Sequence, residues 1–92
     1  MQTNNTSLIR DTVYSVLEDI LDRPRTTFTL DDDFVRDLRI TSDDLSFVFV
    51  PELERRLKLK APVRAWRDVG NGWEAVKLME SLRGSAASGD IS

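Results

Sequence analysis

The stretch TSDDLSFVFVPELERRL, residues 41–57, determines the fold because it predicts a helix with a well-defined start. Thr41 or Ser42 can cap the first turn, where a hydroxyl oxygen accepts a free backbone N–H. Asp43 and Asp44 follow, and carboxylates are favourable at the positive end of the helix dipole. An apolar face then continues at helical spacing, formed by Leu45, Val48, Phe49, Leu53 and Leu57.

Pro51 interrupts this helix. A proline inside a helix removes one backbone hydrogen bond and clashes with the preceding turn, so we expect a kink or a break near Val50. Residues 47–50 alternate Phe and Val and could form a strand, but the stretch is short and has no partner strand elsewhere. We therefore predict helix on both sides of Pro51.

Three other helical segments accompany this one. The first spans residues 7–21 and ends before Pro24, with an apolar face of Leu8, Ile9, Val13, Val16, Leu17, Ile20 and Leu21. Residues 62–68 predict one short helical turn anchored by Val63 and Trp66. After a turn at residues 70–72, a last helix carries Trp73, Val76, Leu78, Met79 and Leu82.

A long polar connection, residues 22–37, joins the first two helices. A loop of this length is unusual unless it packs or functions, and its spaced apolar residues predict a strap across the core. These residues are Phe28, Leu30, Phe34 and Val35. Three adjacent carboxylates at residues 31–33 could hold a metal, but they lack the alternating ligands and the glycine of a calcium loop. A solvated turn is the favoured interpretation.

The composition excludes several kinds of catalytic site. The chain has no histidine and no cysteine, so it contains no Ser-His or Cys-His pair and no zinc-thiolate site. We predict no catalytic residue, no metal site and no enzymatic activity. The net charge of −3 also argues against a nucleic-acid partner, although a basic cluster is present: Arg55, Arg56, Lys58, Lys60, Arg64 and Arg67.

The charge is unevenly distributed. Residues 1–54 hold 12 acidic and 5 basic side chains, whereas residues 55–92 hold 4 acidic and 8 basic ones. Such asymmetry is typical of a protein with a basic partner surface, or of helices with ordinary solvated charged faces. Both interpretations remain open at this point.

The ends of the chain differ from its middle. We expect a flexible N-terminus at residues 1–6, one domain at residues 7–83 and a disordered tail at residues 84–92. The start lacks a charged region followed by an apolar segment, and no run of eighteen apolar residues occurs. These features predict a cytoplasmic protein without a membrane partner.

The order of helices and the stretch FVRDLRITS, residues 34–42, resemble acyl carrier proteins. That family has an aromatic residue or Leu, two further residues, Asp-Leu-Gly, an apolar residue and Asp-Ser-Leu. Counted from Phe34, Ser42 matches the serine that carries 4′-phosphopantetheine. The resemblance covers residues 8–82, and it implies an all-α, four-helix bundle with three main helices, one short helix and a long loop after the first.

The resemblance also implies a function. Ser42 would carry an acyl or aminoacyl group on 4′-phosphopantetheine for fatty-acid, polyketide or related biosynthesis. The partners would be a phosphopantetheinyl transferase and acyl-transferring or condensing enzymes. Asp43 and Asp44 would contact a partner, or they would only favour the helix start.

The chain departs from the family pattern at four places. Arg39 replaces the usual Gly, Thr41 replaces the Asp before the serine, and Asp43 replaces the apolar residue after it. Beyond Val50 the apolar pattern fits better with one residue inserted near Pro51. Two alternatives therefore stay open: Ser42 is a simple helix cap, and the chain is an unmodified carrier-like domain that acts as a protein-interaction module.

The aromatic side chains have two possible roles. We interpret them as core residues rather than ligand contacts, because large rings supply much of the apolar area of a small core. In a carrier-like bundle they would fill the space that could shelter a long acyl chain. The residues are Phe28, Phe34, Phe49, Trp66 and Trp73.

Overall fold

Four helical segments pack around one apolar core in the computed structural model, which describes the backbone of residues 5–89 and the side chains of residues 8–83. A short α2, a π-helical turn and α3 follow one another without a gap and form the second segment. The elements are α1 (Asn5–Leu21), a 3-10 turn (Arg25–Thr27), α2 (Ser42–Asp44), the π-helical turn (Leu45–Phe49), α3 (Val50–Leu57), α4 (Val63–Trp66) and α5 (Gly72–Gly89).

This architecture confirms the predicted small all-α bundle with three main helical segments, one short helix and a long connection after the first. Residues 5–89 contain no β-strand, and their one isolated bridge joins Asp33 to Asn71. In the same residues, every helix is too short or too polar to span a bilayer.

Helix α1 packs against α5 and α3 through the apolar face that the sequence predicts. Ile9, Val13, Val16 and Leu17 are fully buried. Leu8 is the exception, because it is exposed. At about 100° per residue, its position lies at the edge of the apolar stripe rather than over the core.

The connection between α1 and α2 is the expected strap, with one correction. Phe28, Leu30 and Phe34 are buried, as predicted, but Val35 is 57% exposed. The chain turns immediately after Phe34, so consecutive side chains at this point face opposite directions. The next two apolar residues after the strap, Leu38 and Ile40, are buried instead.

Two backbone hydrogen bonds fasten the strap to the start of α5. The amide of Phe34 donates to the carbonyl of Gly70 at 2.8 Å, and the amide of Trp73 donates to the carbonyl of Leu30 at 3.2 Å. The strap passes so close to Gly72 that a Cβ there would lie 2.5 Å from Leu30 Cδ2 and 3.1 Å from Leu30 Cα. A larger residue at this crossing would therefore force Leu30 to shift.

The predicted interruption near Val50 is confirmed, and it takes the form of the π-helical turn. The amide of Val50 donates to the carbonyl of Leu45, one residue further back than in an α-helix. Pro51, which has no N–H to donate, then lies in the first turn of α3. The wider turn rotates Val48 off the expected apolar face, and its side chain is 44% exposed.

Helix α4 packs against the core through Trp66 and Ala65, which are both partly buried. The prediction that Val63 also anchors it is wrong, because Val63 is 76% exposed. Val63 is the first residue of α4 and follows Pro62, which has an extended backbone. A helix of one turn has a single inward face, which Ala65 and Trp66 occupy.

Helix α5 begins at a reciprocal cap. Asn71 Oδ1 accepts the amide of Glu74 at 2.9 Å, and Glu74 Oε1 accepts the amide of Gly70 at 2.6 Å. The helix continues to Gly89, past the expected domain boundary at residue 83. At the other end, α1 starts at Asn5 rather than residue 7. Residues 1–4 and 90–92, which belong to the expected flexible ends, lie outside the described residues.

Candidate functional site

Ser42 is the first residue of α2, and Thr41 is the residue that caps it. Thr41 has an extended backbone (φ −75°, ψ 160°), and its Oγ1 accepts the amide of Asp44 at 3.0 Å. One of the free N–H groups of the first turn is therefore satisfied by Thr41. The alternative in which Ser42 acts as the cap does not agree with this geometry.

The Ser42 hydroxyl has no hydrogen-bond partner among the described residues, and the residue is exposed. Its neighbours Asp43 and Asp44 are also exposed and form no ion pair within residues 8–83. The structure thus places these three candidate residues together on the solvent side of the first turn of α2. A hydroxyl in this position is accessible to another protein.

The strap holds the start of α2 in place. The amide of Ile40 donates to the carbonyl of Phe34 at 2.8 Å, which closes a loop over residues 34–40. Within that loop Arg39 has a φ of 59°, in the left-handed region. An L-residue other than glycine is about 1–2 kcal/mol less favourable there than in the right-handed region.

Asp33 organises the turn that precedes this loop. Its Oδ1 accepts the amides of Val35 at 2.9 Å and Arg36 at 2.8 Å, and its own amide donates to Asp37 Oδ2 at 2.8 Å. The hydrogen bond from the Arg36 amide, followed by that from Val35, lowers the pKa of Asp33 below its usual value. The run at residues 31–33 thus forms the solvated turn that the sequence favours.

A groove of about 370 Å³ opens beside Ser42, and we call it the Ser42 groove. Ser42 and Ser46 contribute hydroxyls to it, and Arg67 is the one charged residue along it. Its other lining residues are apolar: Phe34, Val35, Leu45, Phe49, Val50, Val63, Trp66 and Val69.

Aromatic rings fill the interior beneath the Ser42 groove. The ring centres of Phe34 and Phe49 are 5.0 Å apart, and Phe49 meets Trp66 edge-on at 6.2 Å. Phe28, Phe34 and Phe49 are buried, while Trp66 and Trp73 are partly buried and pack against the core. Phe28, Phe34 and Phe49 are thus core residues as predicted, whereas Trp66 and Trp73 lie at the edge of the core.

Glu54 joins three segments on this side of the molecule. Its Oε2 accepts the amide of Ala61 at 2.9 Å and the indole N–H of Trp66 at 3.2 Å. One carboxylate oxygen therefore fixes α3, the loop after it and α4 relative to one another. Sequence reasoning did not find this role, since a Glu on a charged helix carries no signal of a partner seven or twelve residues away.

The basic cluster after residue 54 is divided by ion pairing. Arg55 pairs with Glu52. Arg56 pairs with Glu52 and with Asp19 of α1, at 2.8 Å in both cases. Arg64 on α4 and Arg67, the residue that follows α4, form no ion pair among the described residues. The cluster is therefore not one continuous basic surface.

Sequence reasoning also missed the Ser42 groove. Its walls come from the strap, the π-helical turn and α4, and no local pattern predicts how these three segments meet. The one available signal was the proline after the Phe-Val run, which predicts an irregular turn there. No group of three or more acidic residues in the described part of the chain could hold a metal ion.

Comparisons of the chain with protein-family models, with curated proteins and with solved structures find no match. The function must therefore be argued from the site itself.

Proposed function

We propose that the chain is a carrier domain, and that Ser42 is its site of 4′-phosphopantetheine attachment. The observation that carries this proposal is the capping of α2 by Thr41, which leaves the Ser42 hydroxyl exposed and without a partner. A serine that only served the helix start would be expected to accept the hydrogen bond that Thr41 accepts.

Two departures from the carrier pattern have a structural counterpart that supports the resemblance. Arg39 stands where acyl carrier proteins have glycine, and its left-handed φ of 59° is a conformation that glycine adopts without strain. The apolar pattern beyond Val50 also fits the family better with one residue inserted near Pro51. The π-helical turn, Leu45–Phe49, holds one more residue than an α-turn and ends two residues before Pro51.

The chemistry needs little from the chain itself. A transferase would form a phosphodiester between Ser42 Oγ and the phosphopantetheinyl phosphate of coenzyme A. The pyrophosphate bond of coenzyme A would break, adenosine 3′,5′-bisphosphate would leave, and a base on the transferase would take the serine proton. The thiol of the attached arm would then hold the cargo as a thioester. This chain supplies position, which is consistent with its lack of histidine and cysteine. We therefore propose a cytoplasmic, non-enzymatic carrier in fatty-acid, polyketide or related biosynthesis.

Partners of the carrier would approach the start of α2. Asp43 and Asp44 are exposed there beside Ser42, so a basic surface on a transferase or on an acyl-transferring or condensing enzyme is complementary. The aromatic rings below occupy the interior, which favours a cargo that stays outside the bundle. Detection of a solvent-protected long acyl chain by NMR would contradict that part of the proposal.

The proposal is tested by transferring a fluorescent coenzyme A derivative with a broad-specificity phosphopantetheinyl transferase. We expect labelling of the wild type and of Ser46→Ala, but not of Ser42→Ala. Ser46 is a matched control because it is exposed and lines the same groove. Labelling that survives in Ser42→Ala would exclude Ser42 as the attachment site.

A second candidate function is an unmodified protein-interaction module. Exposed apolar side chains favour it, since Val35 and Val63 both line the Ser42 groove without being covered. Absence of labelling in every variant, with a known carrier protein labelled in the same tube, would favour this function over the carrier.

A further inference from the structure

The Ser42 groove has the composition of a binding surface. Val35 on the strap and Val63 on α4 line it and are 57% and 76% exposed, while Phe34 and Phe49 below them are buried. An apolar side chain inserted from outside would contact exposed apolar groups and buried rings together. Such a pocket, surrounded by polar residues, is typical of the central contacts in protein interfaces.

On the α4 side of the groove the charge is positive, and it forms no ion pair among the described residues. Arg67 lines the groove, and Arg64 lies on the same helical turn. Elsewhere in the molecule, Arg25 and Arg56 are both paired with carboxylates from other segments of the chain. The α4 side of the groove therefore attracts negative charge from outside the chain.

We propose that the Ser42 groove binds an acidic protein segment, in which a large apolar side chain enters the groove and flanking carboxylates pair with Arg64 and Arg67. Asp43 and Asp44 lie at the start of α2 and repel carboxylates, so they orient the segment with its acidic residues toward α4. A nucleic acid fits less well, because the groove is apolar and the chain carries a net charge of −3.

This surface adjoins the proposed attachment site, because Ser42 lines the groove, and it is therefore tested on Ser42→Ala protein, which cannot be modified there. The probe is a labelled helical peptide with Leu and Trp on one face and Glu on both flanks, compared with the same peptide carrying Lys for Glu. We expect saturable binding of the acidic peptide, with NMR shifts at Val35, Val63 and Trp66. The acidic peptide should bind with a dissociation constant about tenfold lower than that of the Lys peptide at low salt, because it forms two exposed ion pairs that the Lys peptide cannot form.

Charge reversal supplies the matched control. The double substitution Arg64→Glu, Arg67→Glu should reverse the preference of the groove toward the Lys peptide, whereas Arg23→Glu, an exposed arginine on the turn after α1, should not. Three results would overturn the proposal: no saturable binding of the acidic peptide, equal binding of both peptides, or tighter binding of duplex DNA than of the acidic peptide. Because Ser42 is absent from the protein tested, none of these results bears on phosphopantetheine attachment.

Discussion

Thr41 Oγ1 accepts the backbone amide of Asp44 at 3.0 Å, so the residue before Ser42 caps the helix that Ser42 begins. The two neighbouring hydroxyls therefore have different roles. The Thr41 hydroxyl stabilises the helix, whereas the Ser42 hydroxyl has no partner among the described residues.

This division predicts unequal effects on stability. Thr41→Ala should lower the free energy of unfolding by about 1 kcal/mol, the usual contribution of a side-chain cap. Ser42→Ala should change it by less than about 0.5 kcal/mol, as is normal for an exposed residue without a specific contact. Urea denaturation of both variants gives the comparison. A Ser42→Ala variant that loses as much stability as Thr41→Ala would show that Ser42 shares the cap.

Arg39→Gly should stabilise the protein. A left-handed φ is unfavourable by about 1–2 kcal/mol for an L-residue, and the extra freedom of glycine in the unfolded chain offsets about 0.5–1 kcal/mol of the relief. We expect a net gain of about 0.5–1 kcal/mol by denaturant unfolding. Arg36→Gly is the control, because Arg36 lies on the same turn without a positive φ and should gain nothing. A loss of stability in Arg39→Gly would contradict the backbone conformation described for the strap.

Glu54 should be more important for stability than Glu52. Glu54→Ala leaves the amide of Ala61 and the indole N–H of Trp66 without their acceptor, and a buried unpaired donor costs about 1–3 kcal/mol. Glu52→Ala removes only partly exposed ion pairs with Arg55 and Arg56, which water and salt screen, so its effect should be smaller. Thermal unfolding followed by tryptophan fluorescence measures both variants. Equal effects would mean that Glu54 does not hold α4.

The lowered pKa of Asp33 predicts that the stability of the protein depends on pH in the acidic range. Because the pKa of its carboxyl is lower in the folded protein than the ordinary value of 3.8, its stabilising effect is present above that pH and is lost as pH falls through the folded pKa. Asp33→Asn keeps an acceptor oxygen but does not titrate. The wild type should therefore be the more stable protein at pH 7, and the difference should narrow below pH 3.8. A difference in unfolding free energy that stays constant with pH would contradict this role.

The fold was predictable wherever a local sequence pattern determines the structure. The apolar stripe of α1, the acidic first turn after Thr41 and the position of Pro51 each act over a few residues, and each prediction agrees with the structure. Val35, Val48 and Val63 were placed wrongly, since their exposure depends on tertiary geometry, and Leu8 lies at the exposed edge of the α1 stripe. The turn after Phe34, the π-helical turn and the one-turn helix α4 each change which side chains face the core.

The candidate site was predictable in part for the same reason. A sequence motif identified Ser42, Asp43 and Asp44, and the strap and the helix start place them together. The motif allowed either Thr41 or Ser42 to be the cap, because both have a hydroxyl and only the backbone angles decide between them. The Ser42 groove and the bridge made by Glu54 require segments distant in sequence to meet, and neither has a local signal.

We propose above all that Ser42 presents a hydroxyl that a phosphopantetheinyl transferase can modify. This is tested by the intact mass of the wild type after incubation with coenzyme A and a broad-specificity transferase, with fragmentation to locate any added group and a known carrier protein in the same tube. We expect a gain of one phosphopantetheine group, located at Ser42. An unchanged mass, while the known carrier is modified, would show that Ser42 is not an attachment site.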